Sequence, residues 1–487
     1  MNNNQLKHKA FNGVLWTSIQ RFMTIFIQFI SGIVLARLLT PEDYGCIGLL
    51  SIFMLLATNF IDGGFGSALI QKKRPTQEDY STIFFWNLGL SLVIYLILYS
   101  TAPFIAQFYY LELLCPILRV QGIVLVINAL NTVQINQLNK QFKFKKISIV
   151  SLTATIISLS ITIAMAYNGY GVWSLVAQNL LMAGIPACIY WLTNKWKPSF
   201  VFSVKSFKEL FNFGAYVLLT HLINTLGTNI QGLLIGRMYN STTMGYYSKA
   251  HSTEKLASTT ISQVIGQVSY PLYSEIQDNK EALINAIKKL TQFIAYLTFP
   301  LMFLLMLLAK PLYIFLYSEK WLLSVPYFQI LCFVGLAVCL QSISNQSIAA
   351  VGKSKIMFKW AFIKQLMGLI LIISGIYLYG MKGLLIGMVI KAWLIYFINA
   401  SLVSKHIGYK FKFQLMDLCP ILLLAFTSLC ISYMIGNLLD FSLYMDAIIK
   451  LFIYITLYLL GSYLFKLNAY IETKQLVFNF ILKRKNK

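Results

Sequence analysis

Long apolar stretches alternate along this chain with short connections, and lysine and arginine gather on every second connection. That alternation restricts the chain to an integral membrane protein of known orientation, because about 20 apolar residues cross a bilayer as a helix. Counted this way, about fourteen spans of roughly 20–27 residues use most of the 487 positions and leave little for a soluble domain. The first runs over 12–38 and the last over 445–466. Apolar residues make up 58% of the sequence and charged ones only 11%, which fits bilayer-embedded helices and no soluble domain of ordinary composition.

The basic residues give the sidedness. With the amino terminus in the cytoplasm, that side receives Lys7 and Lys9, then Lys72, Lys73 and Arg74, then Lys140, Lys143, Lys145 and Lys146. Lys195, Lys197, Lys205 and Lys208 follow, then Lys280, Lys288 and Lys289, then Lys353, Lys355 and Lys359. Lys405, Lys410 and Lys412 precede a carboxyl-terminal set of Lys466, Lys474, Lys483, Arg484, Lys485 and Lys487. The opposite side holds Arg37, Arg237, Lys310, Lys320 and Lys382. By the positive-inside rule both termini are expected in the cytoplasm. The net charge of +24 is then mostly topological, matched to anionic lipid, and no nucleic-acid partner is expected. The first apolar stretch is too long for a signal-peptide core and is expected to remain as span 1. The seven cysteines are scattered through apolar segments without metal-ligand spacing, so neither a disulfide framework nor a metal site is expected.

Residues from 11 and from 211 align at an offset of 200 without a gap. Phe11-Asn12 faces Phe211-Asn212, Gly32 faces Gly232, Arg37 faces Arg237 and Gly45 faces Gly245. An offset of six spans preserves orientation, which describes a parallel repeat about an axis along the membrane normal. The expected fold is all-α, with two six-helix lobes and two carboxyl-terminal helices. The expected divisions are 1–200 for spans 1–6, 201–410 for spans 7–12, and 411–487 for spans 13–14 with a basic cytoplasmic tail.

Charges inside the bilayer are costly, and they line cavities or pair with one another. Asp62 and Glu254 are the carboxylates well inside spans; Arg21, Arg119, Lys249, Lys255, Lys364 and Lys391 are the basic groups, with His221 and His251 beside them. Lys450 lies close enough to a span end to snorkel. Arg21 and Asp62 lie at similar depth in spans 1 and 2, about 12–14 Å from the cytoplasmic end at 1.5 Å per residue, so a structural ion pair or a cavity-facing pair is expected. Asp62 opens Asp62-Gly63-Gly64-Phe65-Gly66, where the glycines imply a hinge or a discontinuous helix, or else close packing. In span 8, His251, Lys255, Ser258 and Ser262 share one helix face, with Glu254 one turn from His251 and from Ser258. Pairing of Glu254 with a nearby lysine is the structural alternative. Basic groups sharing a cavity would suit an anion, with a diphosphate as the natural case. Asn128, Asn131 and Gln134 in span 4, and Gln341, Asn345 and Gln346 in span 10, suit either sugar hydroxyls or interhelical hydrogen bonds.

No phosphate loop, HExxH pair, nucleophile elbow or carboxylate cluster is present, and the outward connections are short. No catalytic residues and no cofactor are therefore expected; transport is the better class.

Three segments carry a family resemblance. Leu35-Ala36-Arg37-Leu38-Leu39-Thr40-Pro41-Glu42-Asp43-Tyr44-Gly45 resembles the first outward turn of polysaccharide-export flippases of the O-antigen and teichuronic-acid type, in the multidrug/oligosaccharidyl-lipid/polysaccharide exporter superfamily. Asp62-Gly63-Gly64-Phe65-Gly66-Ser67-Ala68-Leu69-Ile70-Gln71 resembles the motif closing span 2, and Gly245-Tyr246-Tyr247-Ser248-Lys249-Ala250 with Pro271-Leu272-Tyr273-Ser274 is similar to span 8. Gly63-Gly64 stands where Leu-Gly is more usual, and Lys249 where arginine is common. The resemblance implies alternating access and a lipid-linked, undecaprenyl-diphosphate oligosaccharide as cargo, carried across the bacterial cytoplasmic membrane for surface polysaccharide biosynthesis. For such a cargo the interior basic groups Arg21, Arg119, Lys255, Lys364 and Lys391 are the candidate diphosphate contacts, and Asp62, Glu254, His221 and His251 the candidates for coupling to H+ or Na+. Membrane lipids and a polysaccharide polymerase are the further partners. A cation-coupled drug exporter and a lipid II flippase stand as alternatives.

Overall fold

The computed structural model describes residues 3–438, 441–472 and 474–475, and among these there is no β-strand. The expected basic tail of Lys483, Arg484, Lys485 and Lys487 lies outside the described residues. The helices in order are α1 (Asn3–Leu38), α2 (Pro41–Asp62), α3 (Phe65–Gln71), α4 (Gln77–Phe108), α5 (Leu114–Gln121), α6 (Ile123–Lys140), α7 (Phe144–Tyr167) and α8 (Val172–Thr193). Then come α9 (Val204–Met238), α10 (Ser241–Glu275), α11 (Lys280–Leu307), α12 (Ala309–Tyr317), a 3-10 turn (Glu319–Ser324), α13 (Val325–Ala350), α14 (Ser354–His406), α15 (Phe411–Leu438) and α16 (Leu443–Leu464).

Eleven segments among the described residues are long and apolar enough to cross a membrane, against the fourteen spans expected. Two physical reasons separate the counts. The segment Lys359–His406 is one of the eleven, yet α14 breaks at Tyr379 (φ −132°) and Gly380 (φ 61°, ψ −142°). Its two limbs fold onto each other there: a Cβ on Gly375 would lie 2.3 Å from the Gly383 carbonyl oxygen, and one on Gly387 2.6 Å from that of Leu371. The expected spans 11 and 12 are therefore the limbs of one tight hairpin. Helices α9 and α10 are long enough at 35 residues each but are absent from the eleven; α10 carries Lys249, Glu254 and Lys255 on its way through.

Helix starts follow local chemistry. Thr40 caps α2 through a capping box in which its hydroxyl accepts from Asp43 N–H and Asp43 Oδ2 accepts from Thr40 N–H at 2.8 Å, with Pro41 as the first helical residue. Thr76 and Asp79 repeat the arrangement at α4. Two hundred residues after Thr40, Asn240 Oδ1 accepts from Thr243 N–H at 2.8 Å and opens α10. Ends match as well, with α1 closing at Leu38 and α9 at Met238.

Contacts divide the chain into two compact units, Met1–Gly245 and Tyr246–Lys487. In the first, α1 packs along α7, α4 and α8 pack on α6, and α9 packs on α2, α3 and α4. In the second, α13 is central, held between α11 and the α14 hairpin, while α15 and α16 form a pair against α11.

Candidate functional site

The first unit breaks a membrane-spanning helix at Asp62. Gly63 (φ 54°) ends α2 and Gly64 (φ 73°) begins α3, both left-handed, so the two glycines convert one span into two helices. The Asp62 carboxylate accepts from the backbone N–H groups of Gly64 and Gly66, taking up donors that the break leaves at the start of α3. Helix α9 crosses here backbone to backbone. A Cβ on Gly64 would lie 2.4 Å from the Gly214 carbonyl oxygen, and one on Gly214 2.6 Å from that of Gly63. One turn before the break, Asn59 Nδ2 donates to Thr225 Oγ1 of α9 at 2.7 Å. His221, exposed on the same helix, is within electrostatic reach of Asp62. Asp62 also lines a cavity of 330 Å³ with Thr58, Asn128, Asn131 and Thr132.

The expected Arg21–Asp62 pair is not among the ion pairs of the described residues. Arg21 is exposed on α1, which packs along α7, while the Asp62 oxygens face α3. Arg119 stacks over the Tyr99 ring at 4.3 Å and donates to the Tyr99 carbonyl oxygen at 3.4 Å, away from the Asp62 cavity.

The second unit buries Glu254 to 2% exposure. Gly335 of α13 makes the space, since a Cβ there would lie 2.7 Å from Glu254 Oε1 and 3.0 Å from Met302 Sδ of α11. Glu254 Oε2 lies 4.0 Å from His251 Nδ1, and the His251 ring stacks on Tyr247 at 5.5 Å. Glu254 Oε1 and His251 Nδ1 are buried without a hydrogen-bond partner. Ser258, also buried, continues the same face; Lys255 is exposed and turned away from it. The buried polar stripe thus runs through Glu254 and Ser258, with Lys255 beside it and not within it.

Lys364 and Lys391 lie between the limbs of the α14 hairpin. Lys364 Nζ donates to Asn399 Oδ1, and the Lys391 stem passes over Gly368, whose absent Cβ would lie 2.5 Å from Lys391 Cε. Of the amide groups, Asn131 Nδ2 donates to the Ala183 carbonyl at 3.1 Å, Gln134 Oε1 accepts from Asn194 at 2.7 Å, and Gln341 Nε2 donates to the Ala392 carbonyl at 2.7 Å. These three bridge elements; Asn128 lines the cavity.

Lys450 does not snorkel. It is buried, 2.7 Å from Asp446 one turn earlier and 3.2 Å from Asn437, in space left by Gly436. A counter-charge at i−4 removes the need to reach the membrane surface.

Two sets of residues were not assigned a site from the sequence. Lys249 is buried with its amine 3.9 Å from the Tyr317 ring centroid and 5.6 Å from that of Trp321. Its place in the Gly245–Ala250 motif was the available signal. Lys72 bridges Asp79 of α4 and Glu209 of α9, both at 3.0 Å. Burial opposes the charge on Lys72, but hydrogen bonds to Asp79 and Glu209 outweigh it and hold the amine above its ordinary pKa. Lys140 donates to the carbonyls of Ile70 and Lys72, satisfying the carboxyl-terminal end of α3.

These observations define a multi-pass helical membrane protein with discontinuous spans and buried, incompletely paired charges, a class to which carriers belong. Its fold matches that of the lipid II flippase MurJ in an inward closed conformation, with a TM-score of 0.75 over 93% of this chain and 98% of that one at 18% identity. The chain belongs to the polysaccharide biosynthesis protein family, whose pattern it matches over residues 34–326. It is 26% identical to the teichuronic acid biosynthesis protein TuaB of Bacillus subtilis, over 72% of this chain and 73% of that protein. It is also 23% identical to the lipopolysaccharide biosynthesis protein WzxC of Escherichia coli, over 89% of each.

Proposed function

We propose that this protein is a flippase that moves an undecaprenyl-diphosphate oligosaccharide across the bacterial cytoplasmic membrane by alternating access, supplying surface polysaccharide biosynthesis. The observation that carries the reading is family membership, joined to likeness with TuaB and WzxC along most of the chain. The protein performs no covalent chemistry on its cargo. Both termini face the cytoplasm, in keeping with the basic connections. Residues 1–200 and 201–410 act as the two lobes of the cycle, and 411–487 stand outside them.

Arg21 and Lys255 are the exposed basic groups of the proposed diphosphate set and make its first contacts. Lys364 and Lys391 supply positive charge from the hairpin, and Arg119 acts only if it leaves Tyr99. Asp62 and Glu254 are the coupling carboxylates for H+ or Na+, with His221 and His251 as their titratable neighbours. A polysaccharide polymerase receives the product.

A deletion strain tests the reading. Lipid-linked oligosaccharide should accumulate in the cytoplasmic leaflet, surface glycan should be lost, and the wild-type gene should restore both. Accumulation of the cell-wall precursor instead would identify a lipid II flippase, and drug hypersensitivity with normal glycan a drug exporter. With surface expression intact, Arg21→Gln and Lys391→Gln should each impair export; undiminished export in both removes the diphosphate role assigned to them.

A further inference from the structure

The second unit holds two grooves that meet at Lys466. One, of 710 Å³, lies between Gln292 of α11, the α15 face from Met416 to Thr427, and the segment Phe465–Ala469. The other, of 760 Å³, is lined by Tyr463, Leu464, Tyr470, Ile471, Lys474 and Gln475. Lys466 belongs to both. It ends α16 with a left-handed φ of 48°, uncommon for a residue with a side chain, and the chain then turns back toward α11. Glu472 is tied to Lys289 of α11 at 3.0 Å, which holds the turned segment in place.

The grooves are apolar along their length and charged at one end. Leu423, Met416, Phe465, Tyr463 and Leu464 are large and exposed, so both grooves open at the surface of the protein. The charged end lies where α15 begins and α16 stops, beside the lysine-rich connection of Lys405, Lys410 and Lys412. Lys412 stands one turn before Met416 on the same helix face. The carboxylates at this end are already matched. Asp417 is 3.2 Å from Lys288, accepts from Gln292 at 2.8 Å and from the Tyr409 hydroxyl at 2.5 Å. Burial and this contact with Asp417 push the Tyr409 hydroxyl above its ordinary pKa, so it remains a donor. Among the described residues, none of Lys412, Lys466 and Lys474 takes part in an ion pair. The mouth is therefore net positive.

We propose that these grooves bind one anionic glycerophospholipid of the membrane leaflet at the basic, cytoplasmic end of the protein. Its phosphate meets Lys466 and Lys412, and its two acyl chains diverge into the two grooves. The paired arrangement favours a diacyl lipid over the transported lipid, since a single isoprenoid chain leaves one groove empty. Anionic headgroups of that leaflet are attracted by juxtamembrane lysines, and the apolar walls exclude a soluble anion.

The test uses the full-length protein, delipidated in detergent, with phosphatidylglycerol as probe and phosphatidylcholine of the same chains as control. Retained lipid is read by native mass spectrometry, alongside the lipid-induced rise in Tm. Wild type should retain phosphatidylglycerol in preference to phosphatidylcholine. Lys412→Gln with Lys466→Gln should lower that retention by about tenfold or more, at an attraction of order 1 kcal/mol for each lysine near the surface. Leu423→Trp, which fills the larger groove and leaves the charge unchanged, should lower it too, with the lipid-free Tm of both variants close to wild type. Equal retention of both lipids, or full retention by the variants, would overturn the proposal. So would complete displacement of phosphatidylglycerol by undecaprenyl phosphate, which would give the grooves to the cargo. If the double lysine variant fails to fold, retention by Leu423→Trp decides alone.

Discussion

Gly45 and Gly245 occupy matching places in one reciprocal contact. A Cβ on Gly45 would lie 1.8 Å from the Ser241 carbonyl oxygen, and a Cβ on Gly245 would lie 1.7 Å from that of Pro41. Each residue is related to its counterpart by 200 positions, so the repeat seen in the sequence is also a local two-fold contact between the turns 41–45 and 241–245. Both turns lie at the end of the chain's spans that carries few basic residues. Backbone meets backbone here, and no flexible side chain can give way. Gly45→Ala and Gly245→Ala should each force the turns apart and cost about 1–3 kcal/mol, as overpacking does. Thermal unfolding in detergent checks the cost, and export in cells should fall with it. An unchanged Tm in both variants would mean that the turns need not meet.

Asp62 does two jobs that a pair of substitutions can separate. Its carboxylate accepts the N–H groups of Gly64 and Gly66, and it lines the cavity with Asn128 and Thr58. An amide at this position keeps an acceptor for the backbone donors and loses the charge; a methyl group loses both. Asp62→Asn should therefore retain nearly wild-type stability, while Asp62→Ala should lose about 1 kcal/mol, the usual cost of removing a helix cap. If Asp62 couples transport to an ion, both should abolish the response of export to a collapsed proton or sodium gradient. A gradient response that survives in Asp62→Asn would leave Asp62 a capping residue alone.

How far these sites were legible in the sequence depends on which coordinate of a residue is asked for. Spacing and lysine placement give each residue an expected depth and each span an expected direction. The glycines of Asp62–Gly66 left a hinge, a discontinuous helix and close packing open; the structure shows the break and a close backbone approach by Gly214 together. Rotation about the helix axis was not readable. Spacing gives Arg21 and Asp62 a similar expected depth, but α1 packs along α7, more than a hundred residues away, and spacing within span 1 carries no record of that partner. Lys255 was placed with His251 and Ser258 by helical steps, yet it is Glu254 that faces Gly335 and Met302. The helix face was nearly right, and one step in azimuth changed which charge is buried. The turn of the α14 hairpin at Tyr379–Gly380 was readable as well, since the expected boundary between spans 11 and 12 falls there; that glycine on each limb lets them close without a loop was not.

Glu254 is enclosed by Gly335, Met302 and His251 and has one oxygen without a partner. An incompletely paired buried carboxylate costs stability, and a group kept at such a cost is a functional one by default. Glu254→Gln preserves shape and removes the charge, so Tm should rise while export falls. Gly335→Ala should lower Tm, because its Cβ would press on Glu254 Oε1 and Met302 Sδ together. A Glu254→Gln variant that exports normally would assign Glu254 to packing.

Lys72 ties the end of α3 to the first turns of α4 and α9, through Asp79 at 1% side-chain exposure and Glu209 at 58%. Its folded pKa is raised by these carboxylates against the opposing effect of burial. The stabilisation is therefore fully present below the unfolded lysine pKa, near 10.4 in model peptides, and is lost as pH rises through the higher folded value. Lys72→Met should lower Tm at neutral pH, and the gap to wild type should close above about pH 10.5. Glu209→Gln removes only the exposed partner, and screened surface pairs contribute about 0–1 kcal/mol. It should cost less than Asp79→Ala, which also loses the capping contact with Thr76 N–H at 2.8 Å. Melting curves of the three variants at pH 7 and pH 11 give the ordering. If the gap between Lys72→Met and wild type persists at the higher pH, Lys72 contributes through the packing of its stem and its charge is incidental.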